Sequence, residues 1–209
     1  KTYIKNSINI IHILPFYPSS SDGGFAVTDF FNIDSKYGSW SDLKKISNNY
    51  KIMSDIVLNH ASSQSKWFKN FLNNKGEGKD FFLQYDKDID TKNVTRARSH
   101  KLIQKFDTVN GKKYLWCTFS RDQVDLDFKN PNVLIVFVKL ILFLHKKGVR
   151  FFRFDAVAFI WKRIETSCIN LDQTHAIVRL FRTILNFTDK NCKIVTETMF
   201  ANTKFFKLG

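Results

Sequence analysis

The chain has 209 residues, 44% of them hydrophobic and 15% aromatic, with a formal charge of +14. That length and composition fit one domain with a buried core and exclude a disordered chain. The positive charge first suggests an anionic partner such as nucleic acid. The basic residues are spread along the chain, however, and the one dense patch (Lys92, Arg96, Arg98, His100, Lys101, Lys105, Lys112, Lys113) lacks the interleaved aromatics that stack on single strands. It reads as a solvated face, and no nucleic-acid partner is expected.

Cys117, Cys168 and Cys192 are odd in number and fit no zinc spacing. They read as buried free thiols in a reducing compartment, which predicts a cytoplasmic protein. The start, Lys1-Thr2-Tyr3-Ile4-Lys5, carries no signal-peptide pattern and no initiator Met, as a chain beginning mid-gene would. The most apolar segment, Val133 to Leu144, is broken by Lys139 and is shorter than the roughly 20 residues that span a bilayer. It is predicted to be a buried helix, with no membrane partner.

Taken in order, the chain alternates strands and helices. Ile8–Leu14 is the first apolar run, followed by a long loop over 15–39. Trp40, Leu43, Ile46 and Tyr50 then recur at helical spacing. Ile52–Leu58 is the second strand. A polar excursion over 61–129 follows, with turn signals at Asn73-Asn74, Gly76, Gly78 and Asn110-Gly111. Asn130-Pro131 opens a helix as N-cap and N1, and Gly148 stops it after Lys146 and Lys147. Arg150–Phe154 is the third strand. Ile177, Val178, Phe181, Ile184 and Leu185 share one helical face, and Lys193–Thr196 is the fourth strand. Four apolar strands alternating with helices predict an α/β fold with a parallel sheet whose strands are buried on both faces.

Polar residues close these strands. The second ends Asp55-Ile56-Val57-Leu58-Asn59-His60, the third Arg153-Phe154-Asp155-Ala156, and the fourth Thr196-Glu197. Charges at the ends of apolar strands are expensive to bury unless paired, so His60, Arg153, Asp155 and Glu197 are predicted to converge on one cleft. Two carboxyls there could perform a retaining glycosidase-type reaction, which needs them about 5–5.5 Å apart. Arg153, two residues before Asp155 on the same strand face, would keep Asp155 ionised as a nucleophile. Glu197, with no basic residue beside it in sequence, would have a raised pKa and serve as general acid. Each piece alone also has a structural reading: an ion pair, a satisfied turn, a surface Glu. A dinucleotide site is excluded, because Gly76-Glu77-Gly78 follows no strand and Phe81 stands where the third Gly would fall.

Asp55-x-x-x-Asn59-His60, Arg153-x-Asp155-Ala156 and Glu197 resemble, in order and spacing, the first three signature regions of the α-amylase superfamily, glycoside hydrolase family 13. Within it the chain is most similar to the sucrose phosphorylase and glucosylglycerate phosphorylase branch. The stretches that carry this are Ile11 to Pro18, Ser21-Asp22-Gly23-Gly24-Phe25, Gly38-Ser39-Trp40, Gln123-Val124-Asp125-Leu126, and Thr166-Ser167-Cys168 through Gln173-Thr174-His175. The resemblance implies a partial (β/α)8 TIM barrel, about strands 2–5, with a B-domain-like insertion after strand 3: residues 1–60 and 130–209 as barrel, 61–129 as insertion.

The resemblance also implies roles. Asp155 would be the nucleophile and Glu197 the acid/base. His60 and Arg153 would hold the ring and the nucleophile, Asp22 would bind outer hydroxyls, Phe25 would be an aromatic platform, and Gln123 would lie near the ring. The implied reaction is retaining glucosyl transfer from an α-glucoside such as sucrose to phosphate, releasing α-glucose-1-phosphate. The implied partners are a small sugar and inorganic phosphate, with no organic cofactor and no metal. A hydrolase or transglucosidase of the same superfamily, an inactive fragment, or a basic nucleic-acid-binding domain are the alternatives. Phe159 stands where the branch has Tyr, and Met199 where it has a polar residue. The family's third carboxylate, in a fourth region, falls outside these 209 residues, so the segment alone is expected to be inactive.

Overall fold

The computed structural model describes residues 7–197. The elements run β1 (Ile10–Ile13), α1 (Trp40–Ser47), β2 (Lys51–Val57), β3 (His60–Ser62), α2 (Lys66–Leu72), β4 (Ile103–Thr108), β5 (Gly111–Trp116), β6 (Gln123–Asp125), α3 (Pro131–Lys146), β7 (Val149–Asp155), α4 (Asp172–Thr188) and β8 (Lys193–Thr196). β1, β2, β7 and β8 form one parallel sheet in that order. The α/β reading therefore stands, with each successive sheet strand beside the last.

Local chemistry explains the boundaries. α1 begins at Ser39, whose side chain caps Asp42 N while the Asp42 carboxylate reaches back to Ser39 N, a reciprocal capping box. It ends at Ser47, so Tyr50 lies beyond it rather than on its apolar face. α3 begins where expected: the Asn130 side chain accepts from Asn132 N, and Pro131 occupies the first helical position. Its apolar stripe (Val133, Val136, Phe137, Leu140, Ile141, Leu144) is buried. No helix of the described residues is long and apolar enough to cross a membrane.

Burial differs between the strands. Ile52, Ile56 and Val57 of β2 are sealed from solvent, and so are Val149, Phe152 and Phe154 of β7. β1 and β8 are only partly covered; among the described residues each pairs on one side alone. The expectation of burial on both faces thus holds for the two central strands and fails for the edges. β1 is also shorter than the apolar run that suggested it, and Leu14 is left 62% exposed.

The stretch between β2 and α3 contributes no strand to the four-stranded sheet. It holds two antiparallel pairs, β3 with β6 and β4 with β5. The Asn110-Gly111 signal marks the tight β4–β5 turn, with Gly111 at φ +90°. Trp67, Phe68, Phe71, Phe81, Phe82 and Phe106 from this stretch join the same core as β2, β7 and α3. At its centre Phe30 stacks on Trp67 at 5.0 Å, and Phe137 meets Phe30 at 5.6 Å and Phe128 at 5.6 Å. The three cysteines are free and buried, as expected.

Candidate active site

Strand register brings the polar strand ends together. Asp55 lies opposite Arg153 and Val57 opposite Asp155. Glu197, one residue past β8, donates its N–H to the Phe154 carbonyl at 3.0 Å. The C-terminal ends of β2, β7 and β8 therefore meet, which in an α/β sheet is where a site is built. A cavity of about 300 Å³ opens there, lined by Asp22, Phe25, His60, Gln123, Asp155 and Glu197 among others. Those are six of the seven residues nominated from sequence. The seventh, Arg153, is not part of the lining and is bonded to both carboxyls.

The long loop after β1 delivers Asp22 and Phe25 by a tight turn. Asp22 and Gly23 both sit at positive φ, and Gly24 at φ +109° has room for no side chain: a Cβ there would stand 2.9 Å from the Pro15 carbonyl oxygen. Gln123 Nε2 donates to Asp22 Oδ2 at 2.8 Å and lies 3.1 Å from His60 Nε2. Four nominated residues from three separate segments are thereby linked, since His60 Nε2 is also 3.2 Å from the Phe25 carbonyl oxygen. Burial pushes the His60 pKa down to about 4 and outweighs the nearby Asp125 carboxylate, so the ring is neutral at pH 7.

The charge arrangement around Arg153 corrects the sequence reading. Its Nη1 is bonded to Asp55 and lies 3.5 Å from Asp155 Oδ1, whereas Nη2 is 2.8 Å from Glu197 Oε1. Glu197 also accepts from Ala156 N at 3.2 Å. So Glu197 has a basic neighbour after all, supplied by the adjacent strand. Burial, and then the hydrogen bond and charge of Glu197, push Asp155 up to about 8 against the pull of Arg153. Partial burial raises Glu197, but the bonds from Asp155 and Ala156 and the guanidinium outweigh it and hold that carboxyl below its ordinary value. Asp155 is thus held above the ordinary carboxylate range and Glu197 below it, the two titrating as a pair. This reverses the expectation of an ionised Asp155 and a raised Glu197. The cause is depth: the Asp155 side chain is 10% exposed and that of Glu197 39%.

Several residues around the cavity were not nominated from the sequence as site residues. Phe119 packs on His60 with ring centroids 5.2 Å apart and on Phe159 at 5.5 Å, forming an aromatic wall. Arg98, part of the basic patch read as solvated surface, lines the same cavity. Asp55, fully buried, holds Arg153 from below and bonds His12 Nε2 at 2.9 Å. Ala156 takes a left-handed conformation at φ +50°, which turns the chain sharply after Asp155. Met199 lies outside the described residues.

The catalytic-domain profile described as "Alpha amylase, catalytic domain" matches residues 2–208. The chain belongs to the α-amylase family. It is 40% identical over 198 residues to a glucosylglycerate phosphorylase of Spirochaeta thermophila, covering 95% of this chain and 34% of that protein. It is also 40% identical over 197 residues to a glucosylglycerate phosphorylase of Escherichia coli, covering 94% of this chain and 35% of the relative. The chain thus spans about a third of the length of the curated relatives it matches. Among solved structures, the sucrose 6F-phosphate phosphorylase from Thermoanaerobacter thermosaccharolyticum superposes with a TM-score of 0.86 at 27% identity, over 94% of this chain and 43% of that one. The four-stranded α/β sheet accordingly agrees with part of the barrel of this family.

Proposed function

We propose that this chain carries the glucosyl-binding and proton-transfer half of a retaining α-glucoside phosphorylase. The observation that supports it most is the meeting of Asp155 and Glu197, both tied to Arg153, at one cavity lined by His60, Gln123 and Asp22. Double-displacement transfer at an anomeric carbon needs two carboxyls and one proton between them: an ionised nucleophile and a protonated acid. In the empty site the directions are the reverse, with Asp155 raised and Glu197 lowered. A glucosyl ring entering between the two would part them and break the bond that favours a protonated Asp155. The proton then moves to Glu197, leaving Asp155 free to attack and Glu197 to protonate the leaving oxygen. In the second half-reaction Glu197 takes a proton from the acceptor as phosphate attacks the glucosyl-Asp155 ester.

Arg153 would orient both carboxyls. His60, Asp22 and Gln123 would bind ring hydroxyls, Phe25 would face the ring, and residues 61–129 would roof the site. Arg98 on the cavity lining supplies a guanidinium suited to a phosphate acceptor. The names of the relatives at 40% identity favour glucosylglycerate as donor, with sucrose as second candidate. The free buried thiols fit a cytoplasmic setting. The test is to express the complete reading frame containing these residues with glucosylglycerate or sucrose and inorganic phosphate. Phosphate-dependent release of α-glucose-1-phosphate, abolished by Asp155→Asn, is the expected result. Release of free glucose at a rate indifferent to phosphate would replace this reading with a hydrolase.

A further inference from the structure

Behind the cavity lies a buried cation that the proposed chemistry does not use. Lys162 is 3% exposed; its Nζ donates to Asn59 Oδ1 at 2.7 Å and is paired with the Asp125 carboxylate. Asp125 is fully buried and accepts from Thr118 N at 2.8 Å and Thr118 Oγ1 at 2.6 Å. Asn59 Nδ2 donates to Asp125 Oδ2 at 3.0 Å and lies 3.4 Å from His60 Nδ1.

We infer that the buried pair Lys162–Asp125 positions, through Asn59, which nitrogen of His60 carries the proton. An ammonium has donors only and a carboxylate only accepts, so the Asn59 amide must turn its oxygen toward Lys162 and its nitrogen toward Asp125. The amide nitrogen then faces Asp125 with one hydrogen and His60 Nδ1 with the other. His60 Nδ1 is met by a donor and must accept, which places the ring proton on Nε2.

The other side of the ring does not decide the matter by itself. Nε2 has two neighbours with opposite demands: the Phe25 carbonyl oxygen at 3.2 Å requires a donor, and Gln123 Nε2 at 3.1 Å requires an acceptor. Left to these two, either tautomer satisfies one and offends the other. Lys162 and Asp125 break the tie from the opposite edge, because with Asn59 so turned a proton on Nδ1 would point at an N–H. The charged groups that face the ring are Asp125, Lys162 and Asp22. Burial keeps the ring neutral, so the tautomer is the only freedom left to it. The consequence, which rests on the proposed function, is that His60 presents an N–H rather than a lone pair to a sugar hydroxyl.

Nitrogen-15 NMR of the 209-residue chain labelled at histidine tests this without any sugar, so it succeeds or fails independently of phosphorolysis. His60 is assigned by loss of its signals in His60→Gln. The expected result at pH 7 is a single neutral tautomer with Nε2 protonated. Lys162→Met combined with Asp125→Asn removes both charged groups that hold the Asn59 amide, frees it to turn and mixes in the Nδ1-protonated form. Asn59→Asp removes the N–H that faces Nδ1 and makes that form dominant; it keeps the question decidable if the double variant does not fold. An Nδ1-protonated ring in the unmutated chain, or an unchanged Nε2-protonated ring in either folded variant, would overturn the inference.

Discussion

Arg153 Nη2 lies 2.8 Å from Glu197 Oε1, closer than its Nη1 comes to Asp155 Oδ1 at 3.5 Å. One guanidinium thus serves three carboxylates and favours the two that are not its neighbour along the strand, since Nη1 is taken by Asp55. The spacing Arg-x-Asp suggests a pair within β7. The sheet instead pulls the arginine sideways, toward β2 on one flank and β8 on the other. The raised pKa of Asp155 beside a lowered Glu197 is the electrostatic result.

The raised pKa of Asp155 makes stability depend on alkaline pH. The folded pKa of Asp155 is raised to about 8 from an ordinary 3.8. Its contribution is therefore fully present below about pH 4 and is lost as pH rises through 8. An amide at this position cannot ionise yet can still donate to Glu197. Asp155→Asn is expected to leave stability near pH 4 almost unchanged and to raise it progressively toward pH 9. Urea unfolding of both chains at intervals from pH 4 to 9 measures this. Parallel stability profiles would show that Asp155 is ionised in the folded chain.

His60 works in the opposite direction. Burial depresses its folded pKa to about 4 from 6.5, so its contribution is present above about pH 6.5 and is lost as pH falls toward 4. The unfolded chain binds a proton there that the folded chain refuses. His60→Gln, which cannot take up that proton, should flatten the fall in melting temperature between pH 6.5 and 4. If the variant keeps the slope of the parent, the acid sensitivity arises elsewhere.

Packing makes its own prediction at Phe137. This fully buried ring on α3 contacts Phe30, Trp67 and Phe128, at centroid distances of 5.6, 6.2 and 5.6 Å. Phe30 comes from the loop after β1, and Trp67 and Phe128 from the stretch between β2 and α3. Phe137→Ala should cost about 3–5 kcal/mol, the usual range for a buried aromatic truncated in a core that cannot collapse. Ile135 of the same helix is 49% exposed, and Ile135→Ala should cost well under half as much in the same denaturation experiment.

These cases mark what the sequence made legible. The central strands and α3 were readable because their signals are local: apolar runs for β2 and β7, Asn130-Pro131 and Gly148 for the helix ends. The end of α1 was not, because Ile46 and Tyr50 keep the helical spacing past the point where Asn48 caps the helix. Within residues 61–129 the turns announced themselves, at Asn73-Asn74, Gly76 and Gly78 after α2 and at Asn110-Gly111 between β4 and β5, and the short strands did not. The candidate cavity was largely legible: His60, Asp155 and Glu197 followed from the polar strand ends, and Asp22, Phe25 and Gln123 from the resemblance to the family, and all six line it. Phe119 and Lys162 were not, as each acts across more than 35 residues of chain, on partners that no spacing rule connects. The directions of the two carboxyl pKa shifts were also hidden, because they depend on relative depth rather than on residue type.

Ala156 is the point at which backbone geometry and the dyad meet. It sits at φ +50° immediately after Asp155, is 7% exposed, and gives its N–H to Glu197 Oε2. A left-handed conformation costs an L-residue about 1–2 kcal/mol, and it is held here because it aims that N–H at the carboxylate. Gly bears no such penalty but loses about 0.4–1 kcal/mol through the freer unfolded chain, so Ala156→Gly should change stability little. Val adds a branched Cβ, for which positive φ is a severe outlier, on the wall of the cavity. Ala156→Val should destabilise the chain by about 2 kcal/mol or more, the backbone strain and the overpacking acting together. It should also turn the N–H away from Glu197 and raise that carboxyl's pKa, read by carbon-13 NMR of the labelled Glu side chain. A Val variant as stable as the parent would mean that the left-handed turn is not maintained in solution.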